Sequence, residues 1–253
     1  MGCGVASAQS VNFLQLCQRA ATECGVASGQ AIGTALPTTA GAPGSLARVV
    51  NWVGDAWNEI QCEHDDWDWM RSSSILGLGA SFPTLPGQAT YPLGIGSGTV
   101  GIAVDAFGKW DVETFRNYVT SVGDISEIYM DEVDFDRWRD GYMYGAMRYA
   151  PSRPIAAAVG PDQSLNLGPP SDGLYTVTAD YFLAPSVMVE DTDLPTGLPT
   201  KFHMLIVYRA MTAYGMYEAA PEVTERGEES YARMLAQLMA VRAPKPSFSG
   251  SLA

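Results

Sequence analysis

The 253-residue chain contains two histidines, His64 and His203. An imidazole that binds metal or moves protons needs partners placed to orient it. His64 falls on an apolar helical period between Ile60 and Trp67, so it reads as a packed ring with one hydrogen-bond partner. His203 belongs to a different segment and has no HExxH-like neighbour. No serine sits in a G-x-S-x-G elbow, and there is no Walker A sequence. Gly96, Gly98 and Gly101 do match G-x-G-x-x-G. A dinucleotide site, however, needs a strand before those glycines and a helix opening on them, so that helix amides meet the pyrophosphate. Ile102 to Gly108 does not read as a helix, and the glycines read as a loop in a β region.

Acidic residues gather twice. Glu63, Asp65, Asp66 and Asp68 follow a helical stretch, and Asp131, Glu132, Asp134 and Asp136 precede another. Such groups could bind a cation or supply the carboxylate pair of a glycosidase. Neither has the glycine and distal glutamate of an EF-hand. The second cluster suits a helix N-terminus, where the helix dipole favours acids, whereas the first sits where the dipole disfavours them. The four cysteines, Cys3, Cys17, Cys24 and Cys62, form no CxxC pair. Cys17 and Cys24 share a helical face and read as buried free thiols in a reducing compartment. The residues thus assign no catalytic, cofactor-binding or metal-binding group. Two chemical alternatives stay open. One is a carbohydrate-active enzyme using Asp66 or Asp134, with Trp67, Trp69 or Trp138 as sugar platforms. The other is a cation- or ligand-binding module on the β region.

Net charge is −13, with 28 acids against 15 Lys and Arg. That argues against tight sequence-independent nucleic-acid binding, which needs clustered cations to displace counterions. A ring of such subunits would line a bore that repels phosphate. Hydrophobic residues make up 47% of the chain, enough for a core. The longest apolar runs, such as Ile155 to Val159, are too short to span a bilayer, and Met1 to Ser10 lacks the basic and apolar regions of a secretory signal.

The elements follow from periodicity. Asn12 to Cys24 reads as a helix with a capping box from Asn12 and Gln15 and a left-handed Gly25 after its end. Val26 to Gly44 reads as an extended loop. Leu46 to Arg71 carries an apolar stripe through Val49, Val53, Trp57, Ile60 and Trp67, which predicts a central helix of about 39 Å at roughly 1.5 Å per residue, capped by Ser45. Trp52 and Trp69 lie off that stripe and need a second packed surface. Strands are predicted from Thr90, at Lys109 to Thr120, Pro154 to Val159 and Leu174 to Leu183, and in the last Tyr175, Val177, Ala179 and Tyr181 alternate against Thr176, Thr178 and Asp180. Asp134 to Tyr149 reads as a helix capped by Asp134. Thr200 to Ala219 predicts a helix with Phe202, Leu205, Ile206, Arg209, Ala213 and Met216 on its inner side, and Pro221 opens a last helix striped by Tyr231, Met234, Leu235, Leu238 and Met239. The fold class is therefore α+β: residues 1–72 and 196–243 form an α-helical bundle from both chain ends, and 73–195 form an inserted β-rich lobe that contains the helix near 134–149. Residues 244–253 read as an extended tail.

Several segments in order resemble a known family. They are Asn12–Arg19, Val49–Gln61, Asp66–Arg71, Pro86–Tyr91, Ala179–Phe182 and Leu198–His203, and together they resemble the head-to-tail adaptor (neck) proteins of tailed bacteriophages, also called tail tubular protein A in short-tailed phages. The resemblance implies a non-enzymatic virion protein, assembled in the host cytoplasm and located at the neck. It implies a homo-oligomeric ring, usually of twelve subunits, between a portal protein and a tail nozzle or tail-tube protein. DNA would pass through the centre without sequence-specific binding, with no membrane involved. The helical parts would make the ring wall and the C-terminal tail would reach the portal, where Lys245, Phe248 and Leu252 are the expected anchors.

Overall fold

A computed structural model describes residues 11–26, 31–94 and 101–242. The described residues contain six α-helices: α1 (Phe13–Glu23), α2 (Ile32–Ala35), α3 (Gly44–Cys62), α4 (Phe135–Tyr142), α5 (Met204–Tyr217) and α6 (Pro221–Arg242). The strands are β1 (Arg71–Ser72), β2 (Ala80–Pro83), β3 (Thr90–Tyr91), β4 (Phe107–Trp110), β5 (Arg116–Val119), β6 (Ile128–Tyr129), β7 (Asp131–Glu132), β8 (Ala156–Val159), β9 (Leu165–Gly168), β10 (Tyr175–Ala179) and β11 (Tyr181–Leu183). The fold is α+β. Its contacts divide the chain into a helical unit, Met1–Trp69 with Pro185–Ala253, and a strand-rich unit, Met70–Ala184.

Local chemistry fixes α1 at both ends. The Asn12 side chain accepts from the Gln15 amide at 2.9 Å, and Gln15 returns the bond to the Asn12 amide at 3.0 Å. The amides of Phe13 and Leu14, unpaired within the helix, donate to the carbonyls of Asp193 and Asp191. Gly25, at φ +71°, turns the chain away. Residues 185–195, placed in the lobe by the sequence pattern, thus belong to the helical unit. Ser186 exchanges two backbone bonds with the Gln61 carboxamide, each 2.9 Å, and Asp191 accepts from the amide and hydroxyl of Thr39.

Helix α3 is shorter than predicted. Its 19 residues span about 28 Å at roughly 1.5 Å per residue. It stops at Cys62, before the acids that oppose its dipole, and the chain resumes as a 3-10 turn at Asp68–Met70. Ser45 does not cap it; Pro43 holds the cap position without a side-chain bond. Trp57 is fully buried, and Trp52 finds its second surface on Tyr214 and Tyr217 of α5, with ring centroids 6.0 and 5.6 Å apart. Helix α5 packs on α1, α3 and α6. Leu205, Ile206, Val207, Ala210 and Met211 form its buried side, whereas Met216 is 67% exposed, contrary to its predicted inner position. A Cβ on Gly215 would stand 2.3 Å from the Thr224 hydroxyl, so glycine is what lets α5 and α6 approach there. The predicted loop before α3 contains the helical turn α2, after which Leu36 is buried.

The strand-rich unit holds three sheets, ordered β1-β11-β4, β2-β10-β5-β6 and β3-β9-β8-β7. Among the described residues the strands pair antiparallel except β7 with β8, and an isolated bridge between Leu93 and Ile102 is also parallel. Phe82, Tyr91, Ile102, Trp110, Phe115, Leu165, Leu167 and Val177 fill the space between them. Two predicted strands are each broken in two. Lys109–Thr120 is split by a 3-10 turn at Val112–Thr114, held by the Thr114 hydroxyl on the Asp111 carbonyl at 2.7 Å. Leu174–Leu183 is split at Asp180, which lets β10 and β11 join different sheets. The predicted helix from Asp134 ends at Tyr142, because Gly145 takes φ +64° and residues 145–149 coil as a separate 3-10 turn. Asp134 caps α4 as expected, accepting from the Asp136 amide.

Candidate interaction site

The residues singled out for chemistry are largely occupied with structure. His64 meets Trp67 edge-on at 4.8 Å. His203 is buried, with Nε2 donating to the Leu198 carbonyl at 3.0 Å, and burial pushes its pKa below the ordinary value. Trp67 and Trp138 are 0% and 3% exposed, so neither offers a platform to a sugar. Trp69 stacks on Trp67, and Gly197 lies close against its backbone carbonyl and Cδ1. In the first acidic cluster, Glu63 accepts from the Tyr231 hydroxyl at 2.8 Å. Among the described residues no three His, Cys, Asp or Glu side chains converge as a metal would require. Cys17 and Cys24 are buried, which pushes both thiols up to about 12. Gly96 and Gly98 lie outside the described residues. Gly101 precedes Ile102, which bridges Leu93, and no helix opens there.

A different constellation is built with care. The loop 73–79 between β1 and β2 displays Ile75, Leu76 and Leu78 at 92%, 75% and 64% exposure. Isolated exposed aliphatics are ordinary, but three on one short loop are a patch. Beneath them lies Asp180, 4% exposed. One of its carboxylate oxygens accepts from the Ser74 amide at 2.6 Å and the Ser74 hydroxyl at 2.7 Å. The other meets the Arg71 guanidinium at 3.0 Å, which also reaches Asp111 at 2.7 Å. The Asp180 backbone is held as well: its amide donates to Thr114 Oγ1 at 2.9 Å, and its carbonyl accepts from the Asp111 amide at 3.0 Å. Burial raises the Asp111 pKa, and the adjacent Arg71 partly offsets this.

The loop is closed on itself. Leu76 and Leu78 amides both donate to the Ser73 carbonyl, and the Ser72 hydroxyl donates to that of Leu78. Gly77 takes φ +72°, and a Cβ on Gly79 would lie 2.3 Å from the Ser74 amide nitrogen. Backbone geometry and a buried carboxylate thus hold three aliphatic side chains toward solvent. An apolar group presented on a fixed backbone loses little entropy when it docks. This arrangement suits protein recognition and offers no reacting group.

In the sequence Asp180 falls in alternation with Thr176 and Thr178, opposite the apolar positions of the strand, and yet it is buried. The ion pairs that bury it join residues 71, 111 and 180, so no local spacing reveals them. The legible signals were an acid between Ala179 and Tyr181 and an aliphatic run, Ile75-Leu76-Gly77-Leu78, with no amphipathic period. The expected anchors Lys245, Phe248 and Leu252 lie outside the described residues.

The SU10 adaptor protein family model matches residues 11–252. The chain belongs to the SU10 adaptor protein family. It is therefore a structural adaptor of a bacteriophage. Among curated proteins, no sequence matches it. Among the described residues of this adaptor no helix is long and apolar enough to cross a membrane.

Proposed function

We propose that this adaptor assembles as a ring, of twelve subunits by the family resemblance, between a portal protein and a tail nozzle or tail tube at the virion neck, and that DNA passes through it without sequence-specific binding. In this reading the helical unit, residues 1–69 with 185–243, forms the wall, and residues 70–184 form the inserted lobe. Residues 244–253 reach the portal through Lys245, Phe248 and Leu252, and the lobe meets the tail. Assembly takes place in the host cytoplasm and the protein performs no catalysis. The family match across 11–252 carries the proposal. The net charge of −13 supports a channel that does not retain phosphate.

Mixing the chain with a candidate portal ring, then weighing and imaging the product, tests it. The expected product is a stacked ring with a central channel. Two variants separate its faces. Removing 243–253 should abolish portal attachment and leave unfolding unchanged. Leu76→Asp should leave stability within about 0.5 kcal/mol, because the side chain is exposed, and should block joining of the tail component while portal attachment persists. A chain that remains a compact monomer beside the portal would overturn the reading.

A further inference from the structure

The two units each carry an exposed patch with no use so far, and the patches are opposite in character. In the strand-rich unit, the 3-10 turn after α4 presents Tyr144, Met147 and Tyr149 at 61%, 45% and 80% exposure, with Arg148 exposed among them. Gly145 at φ +64° and the Ala150 amide on the Met147 carbonyl set its backbone. Arg139 is paired with Asp136 and Asp140, and Arg153 donates to Asn117 and to the Ser126 carbonyl. Arg148 has no acidic partner among the described residues. Tyrosine, methionine and arginine are the residues enriched where protein surfaces bind.

In the helical unit, the turn between α5 and α6 bounds an open cleft of about 520 Å³. Met216, Ala219, Pro221 and Thr224 form much of its lining, together with Glu225 and Glu228. Both glutamates are exposed, and neither has a cationic partner among the described residues. An apolar lining with two unpaired carboxylates matches an aromatic, thioether and guanidinium strip in both polarity and charge. It would repel a phosphate backbone.

We infer that the Tyr144–Tyr149 strip of one copy docks in the Met216–Glu228 cleft of the next copy. Different surfaces meet in such a contact, so it is heterologous. Repeated contacts of this kind close into a ring when the rotation allows, and otherwise extend as a filament. The inference rests on the ring reading above and names the surfaces that join its subunits. Tyr149 and Met216 supply the apolar contact, and Arg148 faces Glu225 and Glu228, which fixes the direction of the ring.

Cross-linking tests it. In a background with Cys3 and Cys62 replaced by serine, Tyr149→Cys and Glu225→Cys are made singly and together, and treated with a short bismaleimide after assembly on a portal ring and at high protein concentration alone. The expected result is a cross-linked dimer when the single variants are mixed, none from either by itself, and a ladder from the double variant. Arg148→Glu should weaken assembly about tenfold or more, Glu225→Arg with Glu228→Arg likewise, and the three together should recover it. A portal-bound ring with no cross-link between these positions overturns this contact and leaves the ring reading intact. Absence of both ring and cross-link overturns both. Cross-linking of Tyr149→Cys to the portal, competition by duplex DNA, or a link formed within one dilute chain would assign the strip to another occupant and overturn the inference.

Discussion

Buried polar groups serve different ends in the two units. In the helical unit they tie a long segment down: Gln61 holds Ser186, and Thr39 holds Asp191, so residues 185–195 lie fastened to the helices. The cores of α1, α3 and α5 are mostly apolar, with Phe13, Leu16, Val53, Trp57, Ile60 and Ile206 excluded from water. In the strand-rich unit the buried carboxylate of Asp180 fastens the base of one loop whose side chains face outward. The difference separates what folds the protein from what presents a surface. Apolar burial dominates the first, and buried hydrogen bonds specify the second.

The sharpest way to break that distinction is to remove one core side chain. Trp57→Ala deletes a fully buried indole from α3 and should cost about 3–5 kcal/mol, read from urea unfolding. A loss below about 1 kcal/mol would show that the helical unit does not depend on its apolar stripe. Asp180→Ala comes next, at about 2 kcal/mol. It leaves Ser74 unpaired and Arg71 without one partner, but the Arg71 side chain is 38% exposed and regains water. Its effect should be local: amide exchange at Leu76, Gly77 and Leu78 should accelerate far more than exchange in α3. Uniform acceleration would mean that the carboxylate supports the unit as a whole.

The same contrast explains what the sequence disclosed. Apolar burial is periodic, so helices α1, α5 and α6 are legible, and α1 with its cap as well, down to the reciprocal bonds of Asn12 and Gln15. The stripe through Trp57 was legible too, although periodicity ran past the true end of α3, because Trp67 continues the spacing without continuing the helix. It packs back instead, donating its indole N–H to the Ile60 carbonyl at 2.9 Å. Polar burial has no period. Asp180 alternates with the apolar residues of its strand, and nothing nearby in sequence marks it as buried, because its partners Arg71 and Asp111 are distant. The apolar loop shows in the sequence only as an aliphatic run without period: its side chains are mostly exposed, so burial imposes no spacing on them.

The smallest effect sharpens the comparison through acid. Both histidines lie outside 70–184. Burial lowers the pKa of His203 from its usual 6.5, so the unfolded chain takes up a proton that the folded chain resists. Stability of the helical unit should therefore fall as pH drops below 6.5, down to the folded value. In the strand-rich unit burial raises the Asp111 pKa above its usual 3.8, against the pull of Arg71. There the folded form takes up the proton first, and this carboxyl's contribution to stability should rise as pH falls toward 3.8. Hydrogen exchange measured in each unit from pH 7 to 4.5 should show helical amides losing protection relative to His203→Gln. Amides near Asp111 should gain protection relative to Asp111→Asn. Parallel shifts in both units would mean that one shared charge effect, and not these two buried groups, governs the response to acid.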